Sequence, residues 1–241
     1  MNGVIVYFPL GAGGNLVKNI ISLDSRFEFS KTNKSRYEWM VDYYSQSMTS
    51  EQWLPREWSI RAEFHEKYYV NERIVKYNPA HLLVYDLHGG QYEVEGVLAG
   101  NKLHSIDPTK PDSKWTLQDC EHVFLLPNNQ HLMMEIYNSK NPTINHLEHE
   151  GDLDYRRKEV ATINTTMTSR LRGLQNKLAQ GHVYSYTADS LYTDTGYTTI
   201  TDLASKLGLD ISHDHIKHIH SIWLQSTREL YYNYFKRELP L

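Results

Sequence analysis

The run Leu10-Gly11-Ala12-Gly13-Gly14-Asn15 has the residue types and spacing that most directly offer chemistry. Small residues between an apolar run and a helix-like run let successive backbone N–H groups converge on one spot, where the start of a helix adds positive potential. Such a spot suits a phosphate or sulfate. Gly11, Ala12, Gly13 and Gly14 would leave the approach open, and Asn15 would add an amide donor. A tight strand-to-helix turn without a ligand would use the same residues. Asp86 and His88 form a second pair: two apart in an extended segment, they share a face. Neutral imidazole near pH 7 is suited to receive a proton from an attacking hydroxyl, which makes His88 the candidate general base. The same residues would also suit a strand end beside Gly89-Gly90. A third group is His213, His215, His218 and His220, with His146 and His149 upstream. Some of these share helical spacing, yet no Cys assists and Lys217 interrupts the run, so the reading is an exposed helix and no metal is expected.

Two common phosphate motifs do not fit the glycine-rich run. A nucleotide-triphosphatase loop needs Gly-Lys-Ser/Thr after four intervening residues, and Lys18 comes too late with no hydroxyl residue behind it. The dinucleotide fingerprint needs a third Gly for close helix packing, and Leu16 stands there.

The elements that must position these groups follow from pattern. Residues 3–9 are a β-branched and aromatic run of the kind expected for a central strand, and residues 15–23 place Leu16, Ile20 and Leu23 on one helical side. Residues 36–73 read mostly as helix, and 81–85 as a second buried strand. Residues 122–126 are a third strand stopped by Pro127, with Asn128 or Asn129 as cap of a helix to about Ser139. Residues 153–180 read as helix with room for a break near Ile163–Thr166. A fourth strand at 182–186 and helices at 202–207 and 216–234 follow. Strands alternating with helices imply a three-layer α/β fold, a mainly parallel central sheet with helices on both faces. At 241 residues, one domain spanning 1–241 with a mostly helical excursion at about 25–78 is expected.

Composition narrows the partners. A net charge of −4 argues against broad attraction to nucleic acid or an anionic membrane. A lone Cys120 excludes an intramolecular disulfide and a cysteine-based zinc site, as expected of a cytoplasmic protein. No stretch reaches the ~18 apolar residues of a membrane span, and the start of the chain does not read as a secretion signal.

Tyr7-Phe8-Pro9-Leu10-Gly11-Ala12-Gly13-Gly14-Asn15-Leu16 resembles the sulfotransferase 5′-phosphosulfate loop, an aromatic-Pro-Lys-Ser-Gly-Thr-Thr-Trp-Leu pattern, with Pro9 and Leu16 coinciding. Tyr85-Asp86-Leu87-His88 is similar to the strand that ends in the family's Ser-His or Thr-His. Ser190-Leu191 with Leu203-Ala204-Ser205-Lys206-Leu207-Gly208-Leu209 is similar to the stretch before its last helices. The resemblance implies a P-loop, sulfotransferase-like fold that binds 3′-phosphoadenosine 5′-phosphosulfate and transfers a sulfuryl group to a hydroxyl of a small molecule or glycan. It implies His88 as general base, with Asp86 beside it, and Asn128 at the turn that meets the nucleotide's 3′-phosphate. Leu10 stands where the family has its loop Lys, Gly13 and Gly14 stand where it has Thr hydroxyls, and Pro127-Asn128-Asn129 carries no Arg. Lys18, Arg56, Arg61, Arg156 and Arg157 are the candidate replacement cations. The alternative is a non-catalytic nucleotide- or anion-binding module that lacks the reactive Lys.

Overall fold

The computed structural model describes residues 3–25, 35–46, 121–140 and 183–240, the backbone of 81–85 and most of 161–176. The first strand, β1, spans Gly3–Tyr7 and is followed by helix α1, Gly14–Ile21. Helix α2, Arg36–Tyr44, begins at a capping box in which Ser35 and Glu38 satisfy each other's backbone N–H groups. Strand β2 spans His81–Tyr85, β3 spans Glu121–Leu126, and α3 spans Gln130–Lys140. Helical residues between 161 and 176 precede strand β4, Val183–Thr187, which runs directly into a 3₁₀ turn, Ala188–Tyr192. Helices α4, Tyr197–Lys206, and α5, His213–Phe235, complete the described chain.

The strands pair in the order β2-β1-β3-β4, all parallel. Val4, Val6 and Tyr7 of β1 and Val123, Phe124 and Leu125 of β3 are fully buried, as central strands of a parallel sheet must be. Tyr7 stacks on Phe124 with ring centroids 4.5 Å apart, and its hydroxyl meets His122 Nδ1 at 3.1 Å. Among the described strands β4 is an edge, and its Tyr184-Ser185-Tyr186 alternation leaves Ser185 exposed. The strands expected at 3–9, 81–85, 122–126 and 182–186 form within a residue or two of those bounds, and the alternation gives an α/β fold.

Two local differences, and one choice the sequence left open, have physical reasons. α4 begins at Tyr197, five residues before the expected 202, because Thr193 to Gly196 form successive turns that lead into it. Asn164–Thr166, within the stretch Ile163–Thr166 where room for a break was expected, are helical; Ile163 lies outside the described residues. The Thr165 and Thr168 hydroxyls donate to the carbonyls of Ala161 and Asn164, four residues back, as helix-compatible side chains do. Asn129, rather than Asn128, caps α3: its Oδ1 accepts the Leu132 N–H at 3.0 Å. Of the expected excursion at 25–78, α2 is described; its remainder between 47 and 78 lies outside the described residues. α2, α3 and α4 all pack on α5.

Candidate functional site

The chain enters β1, turns at 8–13 and leaves along α1. It then forms β2 on one side of β1 and β3 on the other. The carboxyl end of β1 is therefore the point at which the strand order reverses, the place where open parallel sheets form a ligand crevice. The glycine-rich turn stands there. Tyr85 pairs beside Tyr7, so β2 ends level with β1. Asp86 and His88 lie outside the described residues, as do Arg56, Arg61, Arg156, Arg157, His146 and His149.

Within the turn the backbone is left-handed at Gly11, φ +78°, and again at Gly13, φ +75°, which caps α1 without any side-chain bond. Each of the three glycines also has a packing reason. A Cβ on Gly11 would stand 2.0 Å from the Met133 carbonyl oxygen, and one on Gly14 would stand 2.1 Å from the Phe8 ring. A Cβ on Gly13 would meet Leu191 at 3.0 Å and Trp223 at 3.5 Å. Ala12 is buried, and its N–H donates to the Pro9 carbonyl at 3.2 Å, which removes it from the set of anion donors. Among the described residues no hydrogen bond engages the N–H groups of Gly13, Gly14 or Asn15, or the Asn15 side chain. No acidic residue lies in the first turn of α1.

The start of α3 is different. Asp189, from the 3₁₀ turn, accepts the N–H groups of Asn128 at 2.7 Å and Asn129 at 2.9 Å. The chain's own carboxylate thus sits where an anion would meet this helix, and the Asn128 backbone is not open to a nucleotide phosphate. Its exposed side chain is what Asn128 has left to offer.

Side chains from distant elements enclose the glycine turn. The Tyr192 hydroxyl donates to the Gly11 carbonyl, and the Tyr192 ring leans on Trp223 at 4.9 Å. Burial is the main cause that pushes the Tyr192 hydroxyl far above its ordinary pKa, with the Asp189 charge adding to it. Asn164 is fully buried; its Nδ2 reaches the Leu10 carbonyl at 3.5 Å, a long contact, and its Oδ1 has no partner among the described residues. The Lys140 ammonium lies 4.8 Å from the centre of the Trp223 ring and 6.0 Å from that of Tyr192, within reach of a cation–π contact.

No family model, no curated protein and no solved structure matches the chain. The site rests on its own geometry.

Sequence reasoning missed Asn164, Tyr192 and Trp223 as neighbours of the turn, and Lys140 as a neighbour of the two rings. A signal for two of them was present. Met133, Ile136 and Lys140 follow helical spacing on the inner side of α3, so a lysine stands where the pattern asks for an apolar residue. Asn164, Thr168 and Leu171 repeat the pattern, again with a polar residue in the buried stripe. Lys18, one of the candidate cations, sits in the last turn of α1 rather than at its start.

Of the histidines of α5, His220 is buried and His213, His215 and His218 are exposed. His215 stacks on Tyr37 at 3.9 Å, the Tyr37 hydroxyl meets His218 Nδ1, and His213 and His220 flank Tyr197. Among the described residues no group of His, Cys, Asp or Glu converges as a metal site would require. Among them, too, no helix is long and apolar enough to cross a membrane.

Proposed function

We propose that the chain is a sulfotransferase-like protein whose turn between Pro9 and Asn15 holds the phosphate or sulfate end of a nucleotide, 3′-phosphoadenosine 5′-phosphosulfate or a close relative. The observation that carries the reading is the set of unengaged N–H groups at Gly13, Gly14 and Asn15, at the start of α1 and at the reversal point of the sheet. Right-handed crossovers would place the helices between β1 and β2 on one face of the sheet and those between β3 and β4 on the other, which is the three-layer, P-loop-like arrangement. In the transfer step the sulfur–oxygen bond to the nucleotide phosphate breaks as one forms to the acceptor hydroxyl oxygen. His88 takes the acceptor's proton, with Asp86 beside it. The acceptor is a hydroxyl of a small molecule or glycan.

The second reading is binding without transfer. Leu10 favours it: the residue at the position of the family's loop Lys is 8% exposed and belongs to the core. Titration calorimetry with adenosine 3′,5′-bisphosphate and with ADP tests both readings together. Tighter binding of the bisphosphate is expected, and absence of binding by either nucleotide removes the site. Sulfuryl transfer from labelled donor, abolished in His88→Ala with nucleotide affinity kept, separates the first reading from the second. Binding with no transfer to any hydroxyl acceptor leaves only the second.

A further inference from the structure

Lys140 ends α3 and turns toward the inner side of the helix, where among the described residues it meets two aromatic rings and no carboxylate. The same two rings bound the glycine turn. Trp223 stands against Gly13, and the Tyr192 hydroxyl donates to the Gly11 carbonyl. The residue keeps part of its surface, but the packing around its amine pulls the pKa from 10.5 down to about 7, with desolvation the cause.

The titratable groups on the elements packed around it do not neutralise it. Glu135, on the same helix, is held by the Tyr231 hydroxyl and by Arg237. Asp189 of the 3₁₀ turn is held by the N–H groups of Asn128 and Asn129. Burial pushes Tyr192 and Tyr231 above the ordinary phenol range and His220 below the ordinary imidazole range, so all three are neutral near pH 7. A cation with desolvated surroundings and no carboxylate is costly unless an anion joins it. Asn164 adds a second incomplete group: a fully buried side chain against Leu10 of the turn, with an acceptor oxygen that lacks a donor.

We infer that the Lys140 ammonium is the counter-charge of the anion seated on the Gly13–Asn15 amides, so that the end of α3 and the start of α1 together form one site for a phosphate or sulfate ester anion. The inference rests on the anion-binding reading of the turn and assigns its missing cation. It also explains why the turn can carry Leu10: the positive charge arrives from another element. The unpaired Asn164 oxygen would accept from an N–H or O–H on the same ligand.

Adenosine 3′,5′-bisphosphate is the probe, titrated by calorimetry at pH 7 in two buffers of different ionisation enthalpy. With an amine pKa near 7, charging Lys140 fully on binding takes up about half a proton. Wild type is expected to show that uptake in excess of Lys140→Met, which binds at least tenfold more weakly. Lys140→Arg, charged throughout, is expected to recover most of the affinity without the uptake. Equal affinity and equal uptake in wild type and Lys140→Met overturn the role of Lys140 while leaving the turn as the binding site. No binding by wild type overturns the inference together with the reading beneath it. Circular dichroism checks that each variant is folded; should Lys140→Met fail, an uptake unchanged in Lys140→Arg would overturn the inference.

Discussion

His220 donates its Nε2–H to the Leu191 carbonyl at 2.7 Å, tying the middle of α5 to the 3₁₀ turn that faces the glycine-rich loop. A carbonyl can only accept, so this bond fixes the tautomer and leaves Nδ1 without a proton. Burial lowers the pKa of the ring below 6.5, outweighing the Leu191 bond and the Asp194 charge, which act in the other direction. Between the lowered value and 6.5 the unfolded chain binds more protons than the folded one. Stability therefore falls as pH drops below about 6.5. Urea midpoints at pH 7.5 and pH 5 should show a smaller loss in His220→Asn than in wild type; an equal loss would mean that His220 does not couple folding to pH.

Lys140 predicts an effect on the alkaline side. Its folded pKa of about 7 lies below the 10.5 of the free side chain, so between those values the unfolded state again binds more protons. Wild-type stability should rise with pH from about 7 toward 10, where the phenols of Tyr192 and Tyr186, held protonated by burial, begin to act in the opposite direction. Lys140→Met should be the more stable protein at pH 7 and should lack most of the rise, as denaturant titration at pH 6.5, 8 and 9.5 would reveal.

Gly11 and Gly173 should respond in opposite ways to the same substitution. Gly11→Ala forces a left-handed residue to carry a Cβ against the Met133 carbonyl and should cost roughly 3 kcal/mol or more. Gly173 lies in a helical stretch with nothing within 4 Å of its missing Cβ, and Gly173→Ala should add about 0.5–1 kcal/mol. Thermal unfolding of the two variants side by side makes the comparison.

Asp189 holds two backbone N–H groups at the start of α3. Asp189→Ala leaves both without a protein partner and should cost about 1–2 kcal/mol. A change below 0.5 kcal/mol in urea unfolding would show that water replaces the carboxylate at little cost.

Tyr192→Phe keeps the ring against Trp223 and removes only the donor to Gly11. A loss of about 1 kcal/mol in stability is expected. Nucleotide affinity should weaken with it, because the turn loses a fixed point; calorimetry on the folded variant reads this directly.

Much of the frame was legible before any coordinates. Mostly apolar runs at 3–7, 81–85 and 121–126 are best satisfied by burial on both faces, and the intervening helical patterns return the chain as crossovers, so a parallel sheet follows from local pattern. The glycine-rich turn was visible for the same reason. Small residues between a strand and a helix announce their geometry locally, and the left-handed angles at Gly11 and Gly13 are a property of those residues.

What surrounds the turn was not legible. Lys140, Asn164, Tyr192 and Trp223 come from separate elements; that Tyr192 meets Gly11, Trp223 meets Gly13, Asn164 meets Leu10 and Lys140 meets the two rings depends on tertiary packing, which no spacing along the chain encodes. Likewise Asn128, a candidate cap expected at the turn that meets the nucleotide's 3′-phosphate, gives its N–H to Asp189, 61 positions later. By itself the sequence determined where the chain turns and which stretches must be hidden, because backbone angles and hydrophobic period are short-range. Only the tertiary structure decided which polar groups meet at the turn, because desolvation and hydrogen bonding act between residues that folding alone makes neighbours.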